Sequence, residues 1–302
     1  MHKITKAVIA AAGYGTRMLP ITKVLPKEVL PLVDKPIIQL VVEELAEAGI
    51  ENIIIVTKAR KSELVEYFGD IEGGLAEHLR NGDLAKEALL EQLEAVRGLA
   101  NFAFVEQEKL YGTGTPVLDA APYIGDEPFI YTFADDFFVA KQNSYMQMMA
   151  AYEQYDAPVF ACQPRTADED YKRYGYMGGD ELSPGVIDVK AVIEQPGKEN
   201  APGKLASLGG FIVTPDVLPY LRSVREQLPD GKELFFNAAL DAMVKDGKRV
   251  IAKEIVDAEY FDTGNKLEYM KTSVAMAVRH SEIGPQFRQF LNQFVKENIS
   301  ES

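Results

Sequence analysis

An α/β fold, doubly wound about a mostly parallel central sheet, is the architecture this sequence predicts, and three observations predict it. Residues 6–11, 37–48, 52–57 and 61–68 read in turn as strand, helix, strand and helix, an order that builds a parallel sheet through crossover helices. The stretch 52–57 is a nearly continuous Ile/Val run, as a strand covered on both faces requires. The first strand opens at its carboxyl end into Gly13 and Gly15, and the binding crevice of an open α/β sheet lies outside the carboxyl ends of its strands.

Composition bounds the function. The 302 residues are 47% hydrophobic and 26% charged, which is ample for a core of one large domain with embellishments. No apolar run reaches the ~20 residues of a membrane span, and Met1-His2-Lys3 leads straight into the first strand. A cytoplasmic protein without a signal peptide is expected. The single Cys162 and the scattered His2, His78 and His280 give no disulfide and no zinc-ligand spacing. A formal charge of −14 argues against nucleic acid, whose binding rests on surface cations. Any polyphosphate must be held by locally clustered cations and a metal.

Such a cluster follows the first strand. Gly13 and Gly15 let the main chain approach a ligand with no Cβ in the way, and N–H groups in such a turn hold anions. The third glycine of a dinucleotide fingerprint is replaced by Met18, and the Gly-Lys-Ser/Thr of a P-loop is absent. Arg17, Lys23 and Lys27 fall within eleven positions, and a polyphosphate is their expected partner. The plainer alternative is a strand-to-helix turn with solvated basic residues.

The remaining elements follow in order. Gly49 ends the first helix, and the acidic, leucine-rich stretch 69–98 reads as a helical insertion. Strand 101–106 ends at Gln107, whose amide offers a donor and an acceptor ahead of Gly112. A short helix at 119–123 precedes strand 129–133, after which Asp135 and Asp136 face the same crevice as the glycine loop. Hard carboxylates there suit Mg²⁺; capping of a following helix is the alternative. Helix 144–155 and strand 158–163 lead to Arg173-Tyr174-Gly175, and strand 189–193 leads to Glu194-Gln195. Strand 205–214 contains Gly209 and Gly210, Thr214 is the expected N-cap of helix 215–221, and helix 237–245 and strand 250–255 follow. Asp262-Thr263-Gly264 places another carboxylate beside a glycine, as a ligand or as an Asx-turn. Helices 267–279 and 287–295 would pack on the sheet's end or on another subunit.

Taken together, Gly13-Tyr14-Gly15-Thr16-Arg17, Thr22-Lys23, Pro26-Lys27-Glu28 and Leu30-Pro31-Leu32-Val33-Asp34-Lys35-Pro36 resemble the signature of the sugar-1-phosphate nucleotidylyltransferases, in the wording of their uridylyltransferase branch. The resemblance implies a Rossmann-like nucleotidyltransferase fold with a helical insertion and C-terminal helices. It implies one domain, with a nucleotide-binding half at 1–140, a sugar-binding half at 141–266 and helices at 267–302. It also implies a reaction in which UTP and glucose 1-phosphate give UDP-glucose and pyrophosphate, with Mg²⁺ as cofactor and a homodimer or homotetramer as the assembly.

Residue by residue, the resemblance puts Arg17 and Lys27 on the phosphates and Ala12, Gly13 and Gly15 around the nucleotide, with Gln107 and Gly112 on the base. Gly175, Glu194, Gln195 and Gly209 fall to the sugar, and Asp135 and Asp262 to the metal. Four places depart from the family: Ala134 for glycine, Thr115 for a usual histidine with Pro116 after it, Gln195 for a phosphate-neutralising lysine, and Phe235-Phe236-Asn237 in the segment after Gly231. Lys190, Lys198 and Lys204 are the nearby cations that would compensate for Gln195. A non-catalytic nucleotide-sugar sensor or partner subunit is the alternative from another class. Transfer from another triphosphate, or to another sugar, is the alternative among enzymes.

Overall fold

The computed structural model describes residues 3–58, 62–107 and 111–298. In chain order its strands are β1 (Lys6–Ala11), the two-residue β2 (Pro31–Leu32) and β3 (Lys35–Pro36), β4 (Asn52–Thr57), β5 (Asn101–Glu106), β6 (Phe129–Phe133), β7 (Asp136–Ala140), β8 (Val159–Pro164), β9 (Gly175–Ser183), β10 (Val186–Glu194), β11 (Leu205–Val213), β12 (Ile251–Glu254) and β13 (Ala258–Asp262). The helices are α1 (Ile37–Glu47), α2 (Ser62–Phe68), α3 (Gly73–Arg80), α4 (Leu84–Arg97), α5 (Thr115–Ile124), α6 (Ser144–Tyr155), α7 (Val217–Glu226), α8 (Phe236–Lys245), α9 (Lys266–Arg279) and α10 (Gly284–Asn298).

Alternation along the strands splits the core into two layers. Ile9, Ile53, Ile55, Ile130 and Ile212 join one apolar cluster with Ile38, Val41 and Leu45 of α1 and Met148 of α6. Val8, Ile54, Val56, Tyr131 and Phe211 join the other with Val117 of α5, Leu221 of α7 and Leu240 of α8. Helices therefore cover both faces, and the continuous apolar run of β4 is explained by burial on each side.

The nine-stranded sheet runs in the order β5-β4-β1-β6-β11-β8-β12-β10-β9. Strands β5, β4, β1 and β6 are parallel neighbours, but β11 is antiparallel to β6 and β8, and β10 is antiparallel to β12 and β9. The sheet is thus mixed, which corrects the mostly parallel expectation. Its second half keeps one parallel pair, β8 with β12, but adds a tight hairpin, β9 to β10, whose short turn permits only antiparallel pairing.

Several boundaries also move. Helix α5 begins at Thr115, four residues before the expected start, with Pro116 in the first turn, where a missing N–H costs nothing. Thr214 does not cap α7: the helix starts at Val217 behind Asp216, and the Thr214 hydroxyl instead donates to the Asp216 carboxylate. The insertion forms α3 and α4, the latter capped by Asp83, which accepts from Lys86 N at 3.2 Å. The expected start of the second helix at Lys61 lies outside the described residues. Cys162 is fully buried, and burial drives its thiol pKa far up, so it serves as packing. Among the described residues no helix is long and apolar enough to cross a membrane.

Candidate active site

The first loop is fixed by its own hydrogen bonds. Gly15 sits at φ 62°, a region that disfavours a side chain, and its carbonyl accepts from Thr22 Oγ1 and Met18 N, both at 2.8 Å. A Cβ at Gly13 would lie 3.5 Å from Lys27 Cε, so the loop folds back over the Lys27 side chain. Arg17 and Lys27 both reach a cavity of about 560 Å³; Lys23 is exposed.

The acidic centre is set by a strand pair that the sequence reading did not find. Strands β7 and β13 pair antiparallel with Asp136 opposite Asp262, and Thr263 donates to the Asp135 carbonyl through N at 2.9 Å and Oγ1 at 2.7 Å. A Cβ at Gly264 would lie 2.9 Å from Asp262 Oδ1, 3.1 Å from Arg17 Nη2 and 3.4 Å from Asp135 Oδ2. Those three side chains close on one point. The separation of the two carboxylate oxygens cannot exceed the sum of their distances to it.

Each carboxylate carries a cation. Lys27 is ion-paired with Asp135 and Arg173 with Asp262, while Tyr174 OH donates to Asp262 at 3.2 Å and Gly264 N at 2.6 Å. Burial alone would lower the Lys27 pKa, but Asp135 and Glu28 outweigh it and leave it raised. Behind them Asp136 accepts from Tyr260 OH at 2.6 Å. Burial, reinforced by Asp135, pushes its pKa up to about 8.

Another part of the wall comes from the β9–β10 hairpin, which sets Gly175 beside Glu194. Asn237 of α8 donates to Glu194 Oε2 at 2.6 Å, and a Cβ at Gly175 would lie 2.3 Å from the Asn237 amide nitrogen. Burial raises the Glu194 pKa and the Asn237 bond opposes it. Gln195 takes a left-handed φ of 45° and donates its N–H to the Tyr174 carbonyl at 3.2 Å. Gly209, at φ 73° in the irregular stretch of β11, packs so close to Phe138 that a Cβ would lie 2.5 Å from its ring. Gly175, Glu194, Gln195 and Gly209 all line the cavity with Asp135 and Asp262.

Ala12, Gly13, Gly15, Gln107 and Gly112 do not line that cavity. Gln107 is buried, with its N–H on the Thr57 carbonyl at 2.8 Å. Gly112, at φ 115°, lies against the backbone of Leu234, where a Cβ would come within 2.3 Å of the carbonyl oxygen. Thr113, the next residue, does line the cavity and accepts from Phe236 N at 2.9 Å. Thr115 is buried as the first residue of α5. Of the proposed substitutes for Gln195, Lys190 pairs with Asp188 at 3.0 Å and Lys198 with Asp168 at 2.7 Å. Neither these nor Lys204 line the cavity; Lys172 and Arg173 do. Tyr260 was missed, and only the alternation of β13 could have pointed to it.

The donor set fits a hard cation. Among the described residues no group of three or more His, Cys, Asp or Glu is placed to hold a metal. Two carboxylates converging on one point, Asp135 and Asp262, suit an ion that completes its shell with water and phosphate oxygens.

Comparison with known proteins identifies the family. The family model described as nucleotidyl transferase matches residues 6–278. A UTP–glucose-1-phosphate uridylyltransferase of Staphylococcus epidermidis is 34% identical over 293 residues, covering 97% of this chain and 99% of that protein. A UDP-glucose pyrophosphorylase solved in complex with UDP-glucose superposes with a TM-score of 0.80 at 34% identity, covering 92% of this chain and 100% of that one. A UTP-bound UGPase from Acinetobacter baumannii gives a TM-score of 0.83 at 27% identity over 96% of this chain and 99% of that one. With the family model spanning nearly its whole length and curated relatives matched end to end, the chain belongs to the nucleotidyl transferase family.

Proposed function

We propose that this protein transfers a uridylyl group from UTP to glucose 1-phosphate, giving UDP-glucose and pyrophosphate. The observation that carries the reading is the meeting of Asp135, Asp262, Arg17 and Lys27 in one cavity that Gly175, Glu194 and Asn237 also line. The relatives' names, and the UTP and UDP-glucose in their solved structures, supply the substrates.

The sugar phosphate oxygen attacks the α-phosphorus in line and pyrophosphate departs, so the protein positions groups and balances charge rather than supplying a nucleophile. Arg17 and Lys27 counter the charge on the triphosphate and the leaving pyrophosphate. Glu194 accepts from sugar hydroxyls, held in place by Asn237, while Gly175 leaves room for the ring. Ala12, Gly13, Gly15, Gln107 and Gly112 surround the nucleotide, with Gln107 and Gly112 on the base; Gln195 and Gly209 border the sugar. Asp135 and Asp262 would hold Mg²⁺, which when bound neutralises phosphate oxygens of both substrates. In the same reading residues 1–140 form the nucleotide half, 141–266 the sugar half and 267–302 the C-terminal helices of one cytoplasmic domain. The exposed Phe290, Phe294 and Val295 of α10 favour a homodimer or homotetramer.

The test is pyrophosphate release from purified protein given Mg²⁺, each nucleoside triphosphate and a panel of sugar 1-phosphates. UTP with glucose 1-phosphate is expected to lead. Silence from every combination would refute the enzyme reading in favour of a sensor, whereas a faster reaction with another pair would move the substrate and keep the class.

A further inference from the structure

We propose that Arg173 binds the phosphate of the sugar 1-phosphate, supplying the positive charge that position 195 does not. The inference rests on the substrate assignment above and names a binding residue within it.

The sugar wall needs a cation of its own, because a phosphate brought beside Glu194 and the Asp135–Asp262 pair adds negative charge to three carboxylates, and Arg17 and Lys27 also have the triphosphate to balance. Gln195 is neutral at this edge. Arg17 and Lys27 come from the glycine loop, and Lys27 is committed to Asp135. Lys172 reaches the rim but is 66% exposed and paired with Glu169 at 3.2 Å. Arg173 is also paired, with Asp262, but its position and its spare donors set it apart. It lines the cavity with a side chain 29% exposed, and the next residue's carbonyl receives the Gln195 N–H. That bond keeps the backbones of 174 and 195 side by side, so Arg173 can reach the space beside the residue 195 side chain.

The guanidinium is also oriented for the task. Its carbon stands 5.2 Å from the Tyr174 ring centroid and one amino group holds Asp262. A guanidinium has five N–H donors in a rigid fork, the geometry that grips a phosphate through two parallel bonds. Arg173 can therefore hold a phosphate without leaving Asp262.

Steady-state kinetics of R173Q, R173K, Q195K and the double variant R173Q/Q195K test this. R173Q should raise KM for glucose 1-phosphate about 10- to 100-fold while KM for UTP moves by less than about 3-fold. R173K should fall between, and adding Q195K to R173Q should recover most of the loss. Rescue separates the roles, because a lysine at 195 restores charge near the phosphate and does nothing for a purely structural Arg173–Asp262 bond. Glucose 1-phosphate affinity that is unchanged in R173Q, or a loss shared equally by UTP and untouched by Q195K, overturns the proposal. Wild-type turnover of UTP with glucose 1-phosphate decides the parent assignment separately. Calorimetry of glucose 1-phosphate binding needs no turnover: weaker binding by R173Q than by wild type supports the proposal, and equal titrations overturn it.

Discussion

Replacing Gly175 by alanine should impair use of the sugar substrate and leave the nucleotide side alone. The new methyl would stand 2.3 Å from Asn237 Nδ2 and 2.9 Å from Glu194 Oε2, at the two ends of the 2.6 Å bond that joins them. All three residues line the cavity, so the side chains move apart into open space rather than strain the core. A hydrogen bond to a charged group contributes about 1.5–3 kcal/mol, and its loss corresponds to a roughly 10- to 100-fold fall in kcat/KM for glucose 1-phosphate. Asn237 is what lowers the pKa of the buried Glu194. Without it that carboxyl titrates higher, and the acidic limb of the pH–kcat/KM profile should move to higher pH. The assay is initial-rate pyrophosphate release with each substrate varied in turn, with urea midpoints confirming that the fold is intact. N237A removes the same bond without adding bulk and should act in the same direction. A G175A enzyme with wild-type KM for glucose 1-phosphate, or an unaffected N237A, would refute the reasoning.

Other outcomes follow from the same coordinates. K27Q leaves Asp135 without its ion pair beside Asp136 and removes a phosphate donor, so kcat should fall about 100-fold or more, read by single-turnover assay. EDTA should abolish pyrophosphate release and added Mg²⁺ restore it, since the phosphates bring more negative charge to Asp135 and Asp262 than the cavity's own cations offset; activity that survives thorough chelation would count against the metal role. Glu44, buried and bonded to Ser144 Oγ at 2.5 Å, has its pKa raised to about 7 by burial. Its proton is held more tightly in the folded state, so its stabilising contribution is present below about pH 4.5 and is lost as pH rises through 7, amounting to about 3 kcal/mol. E44Q should remove that share of the difference between urea stabilities at pH 5 and pH 8.5. G112A, forced against the Leu234 backbone from a left-handed φ of 115°, should destabilise the protein by at least about 1–3 kcal/mol in the same unfolding assay.

The first half of the molecule was legible because its elements are local. The apolar periodicity of α1, the Ile/Val run of β4 and the strand before Gly13 each state their own structure within a dozen residues. In the second half α6, β8, β11, α8, β12 and α9 were legible in the same way, but the order of the strands in the sheet was not, because it is set by pairings that leave faint local marks. Strand β9 begins Gly-Tyr-Met-Gly-Gly, a sequence poor in β-formers, and becomes a strand by pairing with β10 and β11. Tertiary context overrides propensity there. The short β7 and β13 were left unassigned although Phe137-Phe138-Val139 and Tyr260-Phe261 favour strands, so the direct register of Asp136 with Asp262 could not be seen even though the acidic residues themselves stood out. Asn237 was visible only as a departure from a family pattern. Its partnership with Glu194, 43 positions away, belongs to the fold alone.

What the fold adds to the sequence is a balance of charge. Arg17, Lys27, Lys172 and Arg173 line the cavity together with Asp135, Asp136, Asp262 and Glu194, so fully ionised cations and carboxyls would cancel. Burial keeps Asp136 protonated through neutral pH, with its pKa at about 8, which tips the cavity only slightly positive inside a chain of formal charge −14. That small surplus cannot offset a triphosphate and a sugar phosphate together, because like charges brought within a few ångströms repel strongly in a partly desolvated site. The substrates must therefore bring further positive charge with them. Lys27 is then free to turn toward phosphate oxygens as Asp135 finds another counter-ion, while Arg173 has donors to spare without leaving Asp262. In the structure Lys27 and Arg173 each neutralise one of two converging carboxylates, so removing either one should disturb the site before any chemistry begins.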